Sequence, residues 1–161
     1  MKIKINQKYL LYIFVAALMV GTVSCLPPAN KDDYLEKFTA YVDNVGEDHS
    51  NYNKSDWDYA DERFHKFSHE WHERFEDELT LKEELKVAAL IVRYNSYKGV
   101  NKLEKIYKDE FKDDVDRLKD KVQYYIENDM DEDLEKLKQG AKEIGDSTLR
   151  VLEEIIDEIQ D

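Results

Sequence analysis

The sequence predicts an all-α protein, an antiparallel bundle of four to five helices, from three observations. Residues that break helices are scarce, because the 161-residue chain contains only five glycines and two prolines. Apolar residues recur three and four positions apart over most of the chain, which is the spacing of one helical face. An aromatic content of 12% argues against disorder, although 38% of the residues are charged.

The surface is expected to be acidic. The 37 acidic residues outnumber the 24 basic residues and give a formal net charge of -13. A surface of this sign repels phosphate backbones. The composition therefore predicts that the protein does not bind nucleic acid.

The first 24 residues have the pattern of a secretory signal peptide. Lys2, Lys4 and Lys8 precede a continuously apolar or aromatic run at residues 9–20. A helix that spans a bilayer needs about 20 apolar residues, so a run of about a dozen fits a signal peptide better. The segment ends at Cys25, which is the only cysteine of the chain.

The four residues Thr22-Val23-Ser24-Cys25 resemble the lipobox of bacterial lipoproteins. The resemblance implies that the Cys25 thiol receives a diacylglycerol and that the chain is cleaved before Cys25. The protein would then bind membrane lipid through the acylated Cys25. An ordinary signal peptide with an incidental cysteine is the alternative. A chain whose only thiol is acylated has neither a disulfide nor a cysteine ligand for a metal.

The division that follows is residues 1–24 as signal peptide, 25–31 as lipidated cysteine and tether, and 32–161 as helical domain. Pro27 and Pro28 favour an extended tether.

By analogy with lipoprotein sorting in Gram-negative bacteria, Leu26 after the cysteine implies the outer membrane, with periplasmic face and cell surface both open. The acids of 31–33 (KDD) weakly resemble surface-export signals of Bacteroidota lipoproteins, or they begin a helix, where they suit its dipole.

Two amphipathic helices are predicted at the start of the domain. The first is expected to end at Gly46, and the second to begin with Ser55 as N-cap and Asp58 three residues later. Polar residues 47–54 separate them as a loop. Their apolar faces consist of Tyr34, Leu35, Phe38, Tyr41, Val42 and Val45, and of Trp57, Ala60, Phe64, Phe67, Trp71 and Phe75.

The third helix is predicted to lie at the centre of the bundle. Thr80 and Glu83 form a capping-box pattern at its start, and Gly99 is predicted to end it. Residues 87–92, VAALIV, are apolar on nearly every side of a helix. Such a segment is expected to be wrapped by the other helices.

The C-terminal part is predicted to hold a long helix over residues 103–126 and a last helix over residues 134–159. The apolar residues of the last helix have heptad-like spacing. They are expected either to pack inside the bundle or to support self-association, and the sequence leaves both alternatives open. Ser147 and Thr148 follow Asp146 in a sequence that resembles the short O-glycosylation motif of Bacteroidota periplasmic proteins.

The strongest candidate site is the segment HKFSHEWHERFE. His65, His69 and His72 stand at i, i+4 and i+7, within an arc of about 60° on one helical face, which is expected to face water or a bundle edge. Glu76 borders this face, so the four residues are a candidate site for weak binding of Zn²⁺ or another divalent metal. The alternative is a solvated face of histidines and acids. HEWHE lacks the spacing of HExxH, so no metalloprotease is implied.

No catalytic sequence is evident. The chain lacks a nucleophile elbow, a phosphate loop and a dinucleotide fingerprint.

The body of the chain, through DYLEKFTAYVDNV and the W…F…F…W helix, resembles small helical Bacteroidota lipoproteins of unknown function. We therefore expect a non-enzymatic binding or structural module of the envelope with an unknown protein partner and no cofactor. The alternative is a divalent-metal-binding lipoprotein that uses the histidine and acid face.

Overall fold

A computed structural model describes residues 26–99, 111–128 and 131–160 of the chain. The predicted signal peptide, Cys25 and the predicted helix start near residue 103 lie outside the described residues. Within the described ranges the protein is helical and has no strand, which confirms the predicted all-α bundle. The α-helices are α1 (Lys31–Asp48), α2 (Lys54–His65), α3 (Trp71–Phe75), α4 (Leu81–Tyr97), α5 (Lys112–Asn128), α6 (Asp131–Ile144) and α7 (Asp146–Gln160).

Shorter helical pieces connect some of these helices. A π-helical turn, Lys66–Glu70, joins α2 to α3 without a break, and 3₁₀ turns occupy His49–Asn51 and Glu76–Glu78. None of the helices in the described ranges is long and apolar enough to cross a bilayer.

The bundle is organised around α4, as the sequence predicts. Each residue from Val87 to Val92 is at most 7% exposed. α4 packs against α1, α5, α6 and α7, so its apolar surface is covered on all sides. Burying one such aliphatic side chain contributes about 1.5–3 kcal/mol, and this helix is therefore a main source of stability.

Stacked aromatic rings fill the space between α1, the α2–α3 segment and α4. The Phe64 and Tyr94 rings lie parallel with centroids 3.9 Å apart, and Phe38 stacks on Phe67 at 5.1 Å. The Tyr41 hydroxyl donates to the Ala60 carbonyl at 2.6 Å. These contacts confirm the two predicted apolar stripes as core.

Two helix ends differ from the prediction. α1 passes through Gly46 and ends at Asp48, because this glycine permits a close approach of the Tyr97 ring and does not break the helix. α2 is capped by Asn53 and not by Ser55. The Asn53 side chain accepts from the amides of Ser55 (2.8 Å) and Asp56 (3.2 Å), and the Asp56 carboxylate accepts from the Asn53 amide.

Other helix ends agree with the prediction. Thr80 and Glu83 form a reciprocal capping box at the start of α4. The Glu83 carboxylate also contacts Lys31 at 2.9 Å, which ties the start of α4 to the start of α1. Gly99 follows α4 with a φ of 81°, a conformation that glycine adopts without strain.

The predicted last helix is two helices, α6 and α7, that pack against each other. The break is at Gly145, whose φ is 151°. Buried residues of the heptad-like pattern face the bundle, so the pattern accounts for core packing. Thr148 is 2% exposed, which leaves no room for a glycan on its hydroxyl in the folded domain, whereas Ser147 is partly exposed.

Candidate functional site

A π-helical turn interrupts the helix that carries the predicted histidines. The Trp71 amide donates to the Lys66 carbonyl, five residues earlier. One extra residue in a turn sets every later side chain back by about 100°. His72 is thereby rotated toward the core, although the sequence predicts it on a face near water or a bundle edge. It is 7% exposed, and that prediction is wrong for this residue.

The turn is stabilised by side chains inside the core. The Ser68 hydroxyl is fully buried and donates to the Phe64 carbonyl at 2.9 Å. The hydroxyl of Tyr34, from α1, donates to the Phe67 carbonyl at 3.0 Å. Burial raises the pKa of Tyr34 far above its usual value, so this hydroxyl keeps its proton and remains a donor.

The rotation brings His72 to a cluster with two acids. Glu76 follows on the next turn, and Asp114 comes from α5, which packs over this side of the segment. One ligand atom from each of the three residues lies within 4.8 Å of the others. Among the described residues this is the one group of three that could hold a metal ion.

His65 and His69 belong to a different arrangement. Their rings stack on each other with centroids 4.5 Å apart, and His65 is exposed. The His69 Nδ1 atom lies 3.0 Å from the Ser68 hydroxyl. Of the four residues predicted as metal ligands, His72 and Glu76 belong to the cluster with Asp114, and His65 and His69 lie outside it.

The cluster also contains positive charge. Arg117 lies 2.9 Å from the Glu76 carboxylate and forms a second ion pair with Asp114. Burial lowers the pKa of His72, and the carboxylates of Asp114 and Glu76 raise it by less. The net shift is downward, so the imidazole is neutral near pH 7.

A narrow cavity opens beside the cluster, between α4 and α5. Its volume is ≈ 30 Å³, and His72, Glu84, Asp114 and Arg117 contribute its polar lining. Apolar residues form the remaining wall: Val87, Ala88, Ile91, Phe111, Val115 and Leu118.

Asp114 and Arg117 were not predicted from the sequence. Asp114 lies three residues after Phe111 and four before Leu118, both of which are buried. An acid in register with a buried apolar stripe is a local signal that could have identified it. Its partners are His72 on α3 and Glu76 in the 3₁₀ turn after α3, and both are distant in sequence, so only the tertiary structure reveals them.

The other region of interest is the segment that follows Cys25. Pro28 is fully buried, and the Arg74 guanidinium donates to its carbonyl at 3.4 Å. The Asn30 side chain caps α1 by accepting from the Asp33 amide at 2.9 Å. Residues 26–30 are thus attached to the domain and do not form a freely extended tether.

Asp33 has a structural role at this start. The amide of Ala29 donates to its carboxylate at 2.8 Å, and the Lys37 ammonium contacts it at 2.9 Å. Both interactions lower the pKa of Asp33. This geometry is that of acids in the first turn of a helix, one of the two interpretations of residues 31–33.

The fold and the site define a small all-helical domain with a partly buried ionisable cluster at the edge of its core and an N-terminal segment docked against the bundle. The chain belongs to a family described as a domain of unknown function (DUF6565), which it matches over residues 45–148. No curated protein and no solved structure matches the chain significantly.

Proposed function

We propose that this chain is a lipid-anchored protein of the cell envelope, in the outer membrane, whose helical domain is a non-enzymatic binding or structural module. The lipobox-like residues that end at Cys25 support the anchor, and the burial of Pro28, three residues later, supports a short connection between the anchor and the domain. Three extended residues span at most about 11 Å. An acylated Cys25 would therefore hold the domain against the membrane.

The docked segment would also set the orientation of the domain. The contact between Arg74 and the Pro28 carbonyl and the cap at Asn30 fix where the chain enters the bundle. A free tether would let the domain turn in all directions. A domain held at one end presents the other end at a constant distance from the lipid, which suits a module that positions or recruits another envelope protein.

Lipidation is tested by metabolic labelling of the full chain in a Gram-negative host with an alkyne-bearing palmitate. We expect label and partition into the detergent phase for the wild type, and neither for Cys25→Ser. Lys2→Gln, which leaves the lipobox-like residues intact, is the matched control and should be labelled. Equal labelling of wild type and Cys25→Ser, or no label in the wild type, would overturn the anchor.

The binding role is tested by crosslinking in intact native cells. We expect one envelope protein to crosslink to the wild type and to be lost with Cys25→Ser, since the unanchored domain no longer stands at the membrane. Absence of a specific crosslink in both would count against a binding module. A broad screen for hydrolase activity tests the non-enzymatic part, and turnover above the blank would contradict it.

A further inference from the structure

We propose that His72, Glu76 and Asp114 form a binding site for a divalent cation of the Zn²⁺ type, and that the cation replaces Arg117 as the positive partner of the two carboxylates. This site is independent of the lipid anchor. It differs from the histidine face predicted by sequence because it takes one histidine from that face and adds an acid from α5.

The spacing of the three side chains suits a tetrahedral ion. Zn²⁺ with bonds of about 2.0–2.1 Å holds its ligand atoms roughly 3.4 Å apart. The candidate ligand atoms lie within 4.8 Å of one another, and the His72 Nδ1 atom is 3.9 Å from Asp114. The side chains therefore need to close by at most about 1.4 Å. Asp114 is partly exposed and can make part of this movement.

Within the part of the chain that the structure describes, His72 is a buried polar side chain without a hydrogen bond. It is 7% exposed, and its contact within the described residues is the 3.9 Å approach to Asp114, which is too long for one. Buried polar groups are nearly always satisfied, so an unsatisfied one calls for a ligand or another explanation. A neutral imidazole nitrogen is a ligand that Zn²⁺ binds well.

The two carboxylates of the cluster match the charge of a divalent cation once Arg117 has turned away from them. Glu76 and Asp114 carry two negative charges, and Arg117 supplies one positive charge between them. The Arg117 side chain is 41% exposed, so it can turn into solvent without leaving a buried charge behind. A divalent cation bound to two carboxylates and a neutral imidazole would then be balanced.

The cavity has the size for an ion and not for an organic molecule. Its volume of ≈ 30 Å³ is about that of one water molecule. Sites for drug-sized ligands occupy roughly 300–1,000 Å³. The π-helical turn that rotates His72 into this cavity is a feature often found at functional sites.

The experiment is a Zn²⁺ titration of the full chain carrying Cys25→Ser, purified in mild detergent and followed by calorimetry and by competition with a zinc-binding dye. The Cys25→Ser background removes the only thiol, so bound Zn²⁺ cannot be ascribed to it. We expect one Zn²⁺ per chain. His72→Ala and Asp114→Asn should each weaken binding by more than about 100-fold, because the first removes a direct ligand and the second replaces a charged ligand by a neutral amide.

Three further variants separate this site from the alternatives. His65→Ala and His69→Ala are matched controls from the same helical segment, and their affinity should be unchanged. Arg117→Gln should bind Zn²⁺ about tenfold more tightly, since it removes a competing cation, an effect of the size expected for one partly exposed charge.

Folding of each variant is checked by far-UV circular dichroism. Asp114→Asn keeps the size of a partly exposed side chain, so it remains a fair test if His72→Ala fails to fold. No saturable binding up to about 100 µM Zn²⁺, a value far above the Kd of a specific site, would overturn the proposal. Binding that survives Asp114→Asn, or that His65→Ala abolishes, would overturn it as well.

Discussion

Gly46→Ala should destabilise the protein, although alanine is the better helix former. Gly46 lies inside α1, where replacing glycine by alanine ordinarily stabilises by about 0.8–1 kcal/mol. A Cβ at this position would lie 2.5 Å from the Tyr97 hydroxyl oxygen and 2.9 Å from Cζ of the same ring. Contacts this short force the ring or the helix to move.

The ring of Tyr97 is held from two sides, which makes that movement costly. The Arg93 Nε atom donates to its hydroxyl at 3.2 Å, and the His49 ring stacks on it with centroids 4.8 Å apart. Overpacking at such a site costs about 1–3 kcal/mol. After subtracting the gain in helix propensity, we expect a net loss of about 1 kcal/mol for Gly46→Ala.

The assay is urea unfolding followed by circular dichroism for a double-mutant cycle with Tyr97→Ala. Without the ring, Gly46→Ala should stabilise by about 1 kcal/mol, so the coupling between the two positions is about 2 kcal/mol. A stabilisation of equal size in both backgrounds would refute the reasoning, because it would mean that α1 and α4 do not approach each other closely at Gly46.

Three further predictions concern single side chains. Asn53→Ala should lower the free energy of unfolding by about 1 kcal/mol, because α2 loses its cap. Ser55→Ala should change the free energy of unfolding by less than about 0.5 kcal/mol. Urea unfolding of both variants shows which of the two residues caps the helix. Tyr34→Phe should cost about 1–3 kcal/mol in the same assay, because the buried Phe67 carbonyl loses its donor, and no loss would contradict that hydrogen bond. Burial alone would raise the pKa of Glu83, but its hydrogen bonds and its ion pair outweigh burial and lower the pKa below the usual value of 4.5. The contribution of the ionised Glu83 carboxylate to stability is therefore complete above pH 4.5 and is lost as the pH falls below that value. The melting temperature measured from pH 3 to 6 should depend less on pH for Glu83→Gln than for the wild type. An equal pH dependence of the two proteins would contradict the assignment.

Features that depend on neighbouring residues could be predicted from the sequence. The apolar run 87–92 identifies the central helix, and the Thr80 capping box and Gly99 mark its two ends. Hydrophobic spacing and cap chemistry act within one or two turns, so a single sequence carries them.

Features that depend on packing could not be predicted. Gly46 has the residue type of a helix end, and only the Tyr97 ring explains its place inside α1. Asn53 and Ser55 are both good caps, and the sequence does not decide between them. The meeting of His72 with Asp114 requires the π-helical turn and the position of α5, neither of which has a local signature.

The π-helical turn at Lys66–Glu70 holds one residue more than a regular helical turn, and this extra residue sets the orientation of every side chain that follows. A chain one residue shorter in this stretch could form a regular helix and still present the later side chains in the same directions. A change that converted the turn to a regular helix at constant length would instead advance His72 by about 100° and take it out of the cavity, although no residue of the cluster had been substituted. The side chains that stabilise the turn, Ser68 and Tyr34, would thus control the cavity without lining it.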